Sequence, residues 1–185
     1  MKADIKKKNE IADAFKRHFL HFGFKKTTVD DVAAELGMSK KTIYRCFDSK
    51  DDIFYFIISR KAKARRVMIE KKIKNLDSAS AKMEEMISIN FTKFREIHKS
   101  KSPAFDERFQ AEIAAGAFKE AFNQLVSDII EEGVKKNEFE VCDHGMTVRY
   151  IQALITETVK SIREDYSSQP EDFLICTVNK LLKKQ

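Results

Sequence analysis

The sequence predicts an all-α fold, and three observations carry the prediction. Glycine and proline are scarce, five and two in 185 residues, so the turn clusters that bound short strands are nearly absent. Apolar residues recur at steps of three and four, the period of one helix face. The hydrophobic share of 43% is too high for disorder, while a charged share of 35% interrupts every run that might cross a membrane. About nine helices account for the chain, with no internal repeat.

Ile11, Phe15, Phe19 and Phe22 give the first helix its apolar stripe, and Gly23 ends it. Thr27 and Thr28 precede a second helix through Val32 and Leu36, where a threonine hydroxyl caps the start and Asp30 and Asp31 suit the positive helix end. Gly37 stops that helix. Ser39 caps a short third one, with Ile43 and Phe47 on its inner face. A long fourth helix, about residues 49–75, begins with Ile53, Phe54, Ile57 and Ile58, and residues 76–80 form the clearest break. The fifth helix carries Met83, Ile87, Phe91 and Phe94. Ser102 and Pro103 open a sixth through Phe105, Phe109 and Ile113 to a break near Gly116. Phe118, Phe122, Leu125, Ile129 and Ile130 carry a seventh to Asn137, an exposed turn with Phe139 follows, and residues 143–166 and a helix opened at Pro170 complete the chain.

Charge is distributed unevenly. Residues 1–50 hold 12 Lys and Arg against 7 Asp and Glu, whereas residues 51–185 hold 23 against 22, so +5 of the net +6 is N-terminal. A polyanion-binding module attached to a neutral domain has this asymmetry. The expected division is residues 1–50 and 51–185, with the fourth helix as connector. Cys46, Cys142 and Cys176 have neither zinc spacing nor a disulfide framework, and suit a reducing cytoplasm. The basic start is not followed by an apolar run of signal-peptide length.

Two helices cross steeply only where a small residue lies at their contact and the turn accepts positive φ. Ala33 and Gly37 meet those needs, which makes residues 28–47 a helix-turn-helix. The third helix then presents Lys40, Lys41, Thr42, Tyr44 and Arg45 to double-stranded DNA. Arg45 suits a bidentate pair with guanine, Thr42 a thymine methyl or a phosphate, and Lys40 and Lys41 the phosphates. Thr27, Thr28 and Lys50 flank them as backbone clamps, and Ser39 starts the reading helix.

The segments Ile11 to Phe15, Thr27 to Val29, Leu36 to Tyr44 and Phe47 to Ile53 closely resemble, in order and spacing, the N-terminal signature of TetR-family transcriptional regulators. A fainter likeness runs from Glu132 through Phe139 to Asp143. The resemblance implies a homodimer on a palindromic operator and a C-terminal domain that senses a small molecule, with steric repression as the default. It places Thr28, Lys40, Thr42, Tyr44 and Lys50 at DNA-contact positions. Lys41 stands where a small residue is frequent, and Cys46 where an aromatic residue or histidine often meets phosphate.

A dimer interface is expected in the last two helices, whose apolar positions include Val148, Ile151, Leu154, Ile155, Val159, Phe173, Val178 and Leu182. Fifteen phenylalanines and no tryptophan make the interior Phe-rich. Phe91, Phe94, Phe105, Phe109, Phe118 and Phe122, with Met83 and Ile87, either line a cavity for a small apolar effector or simply form core. Asn90 is a polar handle for such a ligand or a solvent-facing residue. The alternative function is a DNA-binding dimer without an effector, whose second domain is a scaffold or docking surface. No catalytic constellation can be assembled, so no enzyme, cofactor or metal site is expected. His18 and His21 share a helix, and His98 and His144 are isolated. The run Arg60, Lys61, Lys63, Arg65 and Arg66 reads as a solvated face.

Overall fold

A computed structural model of the chain describes residues 2–99, 108–164 and 170–183. It contains, among the described residues, eight α-helices and no strand: α1 (Lys2–Phe22), α2 (Val29–Leu36), α3 (Lys40–Tyr44), α4 (Lys50–Ile73), α5 (Ala79–Lys99), α6 (Arg108–Lys135), α7 (His144–Glu164) and α8 (Pro170–Leu182). They sort into two compact units. The first comprises the chain through Ala62 with α6 up to Phe118; the second comprises the rest of α4, α5, the remainder of α6, α7 and α8.

The first unit is built on the predicted stripe of α1. Ile11, Phe15 and Phe19 are buried with Val32, Ile43, Phe47, Ile53, Phe54 and Ile57, while Ala117 of α6 closes the cluster. Phe24 and Phe54 meet edge to face at 5.3 Å, as do Phe19 and Phe54 at 5.4 Å, the geometry the ring quadrupole favours. Gly23, at φ +81°, ends α1 as expected, and its N–H donates to Phe19 O at 3.0 Å. Phe22 departs from the prediction. It is 53% exposed, its ring set against those of His18 and His21 on the same helix.

The second unit buries Ile69 and Ile73 of α4, Met83, Met86, Ile87 and Phe91 of α5, Phe122, Val126 and Ile130 of α6, Ile151 and Ile162 of α7, and Val178 and Leu182 of α8. Helix α8 packs on both α5 and α7. Charged ties join the same helices: the Arg95 guanidinium of α5 grips Glu171 of α8 through two nitrogens, and Lys82 of α5 donates to both oxygens of Glu132 on α6 at 2.7 and 2.8 Å.

Two sequence expectations are corrected here. The break at Gly116 does not occur, and α6 runs through it to Lys135, so the described helices number eight rather than nine. An isolated glycine lowers helix propensity by only about 1 kcal/mol, which flanking packing overrides. The residues proposed to open that helix, Ser102, Pro103 and Phe105, lie outside the described residues. The turn before α7 is exposed at Lys136, Asn137 and Glu140 as expected, but Phe139 within it is not. The Phe139 ring is buried under the Gly133 backbone, and Phe139 and Glu138 both donate N–H groups to Gly133 O, at 3.1 and 2.8 Å. Asn137, at φ 58°, makes the left-handed step that allows this closure.

Candidate nucleic-acid interface

Each end of the α2–α3 pair is fixed by hydrogen bonds that its sequence supplies. At the start of α2 the Thr28 hydroxyl accepts from Asp31 N at 3.1 Å, and Thr28 N donates to Asp31 Oδ2 at 3.1 Å, a reciprocal capping box. The hydroxyl also donates to Asp31 Oδ2 at 2.6 Å. These Thr28 bonds hold the Asp31 carboxyl below its ordinary value, against the small opposing effect of desolvation. At the other end Gly37 takes φ +61°, its N–H donates to Ala34 O at 3.3 Å, and Met38 N donates to Ala33 O at 2.9 Å. This pair of bonds is a Schellman closure, which depends on the left-handed residue.

Ser39 then caps α3, its hydroxyl accepting from Thr42 N at 3.2 Å and lying 2.9 Å from Thr42 Oγ1. Ile43 is fully buried and anchors the helix from below. Lys40, Lys41, Tyr44 and Arg45 are all exposed, with Thr42 half-buried between them. Lys40 pairs with Asp30 at 3.0 Å, and that carboxylate raises the lysine's proton affinity, keeping it charged. The half-buried Cys46 follows.

Not every residue predicted to touch DNA is presented in this way. Thr27 is buried, and its hydroxyl donates to Gly23 O at 2.8 Å, so it closes the α1–α2 turn instead of offering a free clamp. The Lys50 ammonium sits 4.4 Å from the centre of the Phe24 ring and donates to Phe24 O at 2.9 Å. It ties the start of α4 to the same turn. Thr28 remains exposed beside it.

Several functional ties were not legible as motifs. Glu35 of α2 meets both Arg17, with Nε at 3.0 Å, and His18, at 2.7 Å, binding α1 to α2. Arg17, the first cause, holds the Glu35 carboxyl below its ordinary value. Arg60 grips Asn9, at 2.8 Å, and Asp13 of α1. The run on α4 is the solvated face expected of it only in part: Lys61 and Lys63 are exposed, whereas Arg65 donates to Asn90 and Ile89 of α5, and Arg66 pairs with Glu70 at 3.2 Å. Spacings of 17 to 51 residues gave no local signal for the ties to α1.

The residues suggested for an effector fall in different places. Met83, Ile87, Phe91 and Phe122 are buried in the second unit and Phe94 is half-buried there. Phe118 packs partly buried on the core of the first. Phe105, and the side chains of Phe109 and His98, lie outside the described residues. Asn90 is neither solvated nor free: its Oδ1 accepts from Arg65 Nε at 2.9 Å, and its Nδ2 donates to Met86 O at 2.9 Å. An open cleft of about 400 Å³ runs between α4, α5 and α6, lined by Val67, Glu70, Lys71, Ile73, Lys74, Lys82, Leu125, Asp128, Ile129 and Glu132. None of the suggested residues that are described lines it. Lys136 and Lys82 hold the Glu132 carboxyl at its rim below the ordinary value.

On α7 and α8, Val148, Ile151, Val178 and Leu182 are consumed by the interior of the unit, whereas Tyr150, Phe173 and Leu181 are exposed, Phe173 to 76%. Among the described residues no group of His, Cys, Asp and Glu is arranged to hold a metal, and no helix is long and apolar enough to cross a membrane.

Residues 11–55 match the model of the family described as bacterial regulatory proteins, tetR family. The HTH-type transcriptional regulator YhgD of Bacillus subtilis (strain 168) is 29% identical over 152 residues, 77% of each chain. Among solved structures, the transcriptional regulator FadR of Bacillus subtilis, in complex with stearoyl-CoA, is similar with a TM-score of 0.62 and 21% identity over 95% of this chain and 97% of that one. RolR in complex with resorcinol reaches a TM-score of 0.73 at 9% identity, over 100% and 91%. At these identities the two structures establish likeness of fold.

Proposed function

We propose that the chain, whose residues 11–55 match the tetR family model, is a TetR-family regulator: a cytoplasmic homodimeric repressor that reads a palindromic operator with two copies of α3. It is a regulator rather than an enzyme. The observation that carries the reading is the division of α3 itself: Ile43 is fully buried while Lys40, Lys41, Tyr44 and Arg45 stand exposed on a helix capped at its start. A side chain that reads base edges must be free of its own fold, and the element that carries it must be held rigidly. Residues 1–50 would do the reading, and α4 would connect them to the remainder. Tyr150, Phe173 and Leu181 give α7 and α8 apolar surface for a two-fold contact.

In this reading an effector of largely apolar character releases the operator. Support comes from the apolar interior of the second unit and from the stearoyl-CoA and resorcinol held by two proteins of the same fold. Release would follow if the ligand favours a spacing of the two α3 helices that no longer matches half-sites about one helical turn of DNA, or a multiple, apart. The alternative, a second unit that serves only as dimer scaffold or docking surface, is favoured by the engaged amide of Asn90 and by the absence from the cleft of those suggested residues that are described.

Selection from a pool of randomised duplexes tests the DNA reading, with a palindrome as the expected product; a pool with no enrichment would overturn it. Adding stearoyl-CoA or resorcinol to the selected complex separates the two versions. Release, with thermal stabilisation of the protein, supports sensing of that ligand class. Retention with no stabilisation by either supports the scaffold.

A further inference from the structure

The N-terminal turns of α1 carry a cationic run, Lys6, Lys7 and Lys8, to which the reading above gives no role. Its position is fixed at two points. At one, the Lys8 ammonium lies 5.1 Å from the centre of the Phe47 ring, and Phe47 follows the exposed Arg45 by two residues. At the other, Arg17 and His18 both reach the Glu35 carboxylate of α2. Eleven residues are close to three helical turns, so a position and its eleventh successor share one stripe to within about 20°. Lys6 therefore stands on the stripe of Arg17, and Lys7 on that of His18. Both overhang the flank of α1 that meets α2, roughly 16 Å beyond the Glu35 contact.

The charges there are available. Lys6 and Lys7 are exposed and have no ion-pair partner among the described residues. Elsewhere in the unit Arg17, Lys40 and Arg60 are tied to Glu35, Asp30 and Asp13. We infer that Lys6 and Lys7 form a second cationic contact of the DNA interface, binding backbone phosphates outside the base pairs that α3 reads, beside its Phe47 end. This rests on the DNA-binding reading and extends it: α3 selects the sequence, and α1 lengthens the footprint without reading a base.

The test compares salt dependence on the duplex that the wild-type protein selects from a randomised pool, with flanking base pairs retained. Glutamine keeps nearly the helix propensity of lysine, so Lys6→Gln/Lys7→Gln preserves α1, checked by far-ultraviolet circular dichroism. Each phosphate contact contributes roughly 0.9 to the slope of log K against log salt, so the double variant should lower the slope by about 1.8 per bound protomer. Trimming the flanks should bring wild type down to the level of the variant. Lys72→Gln/Lys119→Gln removes the same charge from exposed positions of the second unit and should leave the slope at its wild-type value. An unchanged slope in the first variant, or an equal drop in both, would overturn the inference while leaving the α3 reading standing. A wild-type protein that enriches no duplex would overturn both.

Discussion

The reading helix with its caps and the second unit hold their polar side chains in opposite ways. In the first, the residues that matter for recognition point outward, and short-range bonds such as Thr28 to Asp31 and Ser39 to Thr42 hold the backbone beneath them. In the second, the strongest polar groups are turned on one another across long separations: Arg65 with Asn90, Lys82 with Glu132, Arg95 with Glu171, and Asn179 with Glu84 at 2.7 Å. The surface offered to DNA keeps Lys41, Tyr44 and Arg45 exposed while Lys40 leans on Asp30, whereas a unit that must hold several long helices in register spends its donors internally. The same amino acids thus read as ligands in one place and as fasteners in the other.

The largest expected effect tests the packing side of this contrast. A Cβ at Gly133 would lie 2.1 Å from Cδ2 and 2.6 Å from Cγ of the buried Phe139 ring. Gly133→Ala should destabilise the protein by about 1–3 kcal/mol or more, as overpacking does. Chemical denaturation would show it; a stability equal to wild type would mean that the Phe139 closure is not a fixed part of the second unit.

Next comes the recognition side. Arg45→Ala should weaken binding to the selected operator by roughly ten- to a hundredfold and relax its preference at one base pair, while leaving thermal stability unchanged. Tyr44→Ala should weaken binding as well. Falling affinity accompanied by an equal fall in stability would place these residues among the fasteners, and the contrast between the units would be lost.

The sequence was informative in proportion to how local the determining physics was. Helix ends at Gly23 and Gly37 and the caps at Thr28 and Ser39 depend on neighbours within a few residues, and each was readable. Thr27 was misread because threonine at a helix entrance looks alike whether its hydroxyl faces solvent or, as here, the Gly23 carbonyl. Lys50 was expected as a backbone clamp, and its ties to the Phe24 and Thr27 carbonyls left no local signal because those partners lie 26 and 23 residues away. The effector residues were harder still: a phenylalanine at helical spacing has the same pattern in a filled core and around a cavity, and only side chains from other helices distinguish them.

A smaller effect tests the local bonds. Thr28→Ala should cost about 1 kcal/mol at neutral pH through loss of the cap. Its pH dependence carries a sign. Because the Thr28 bonds depress the Asp31 pKa in the folded state, they contribute stability above the ordinary carboxylate value, and that contribution is lost as pH falls through the depressed one. The difference between Thr28→Ala and wild type should therefore shrink on acidification, measured by denaturation from pH 7 down to about pH 3. A constant difference would remove Asp31 from the account.

The smallest effect returns to α6, which contains two glycines of opposite meaning. Gly133 is spaceless, but a Cβ at Gly116 would meet nothing within 4 Å, and Gly116 is exposed in mid-helix without a positive φ. Nothing in the folded state requires glycine there, so alanine should stabilise the protein, by about 0.5–1 kcal/mol, through the smaller backbone entropy it loses on folding. The paired measurement of Gly116→Ala and Gly133→Ala separates propensity from packing within one helix. If Gly116→Ala instead destabilised, α6 would be bent or interrupted at that point, and the break that the sequence suggested near Gly116 would have a physical basis after all.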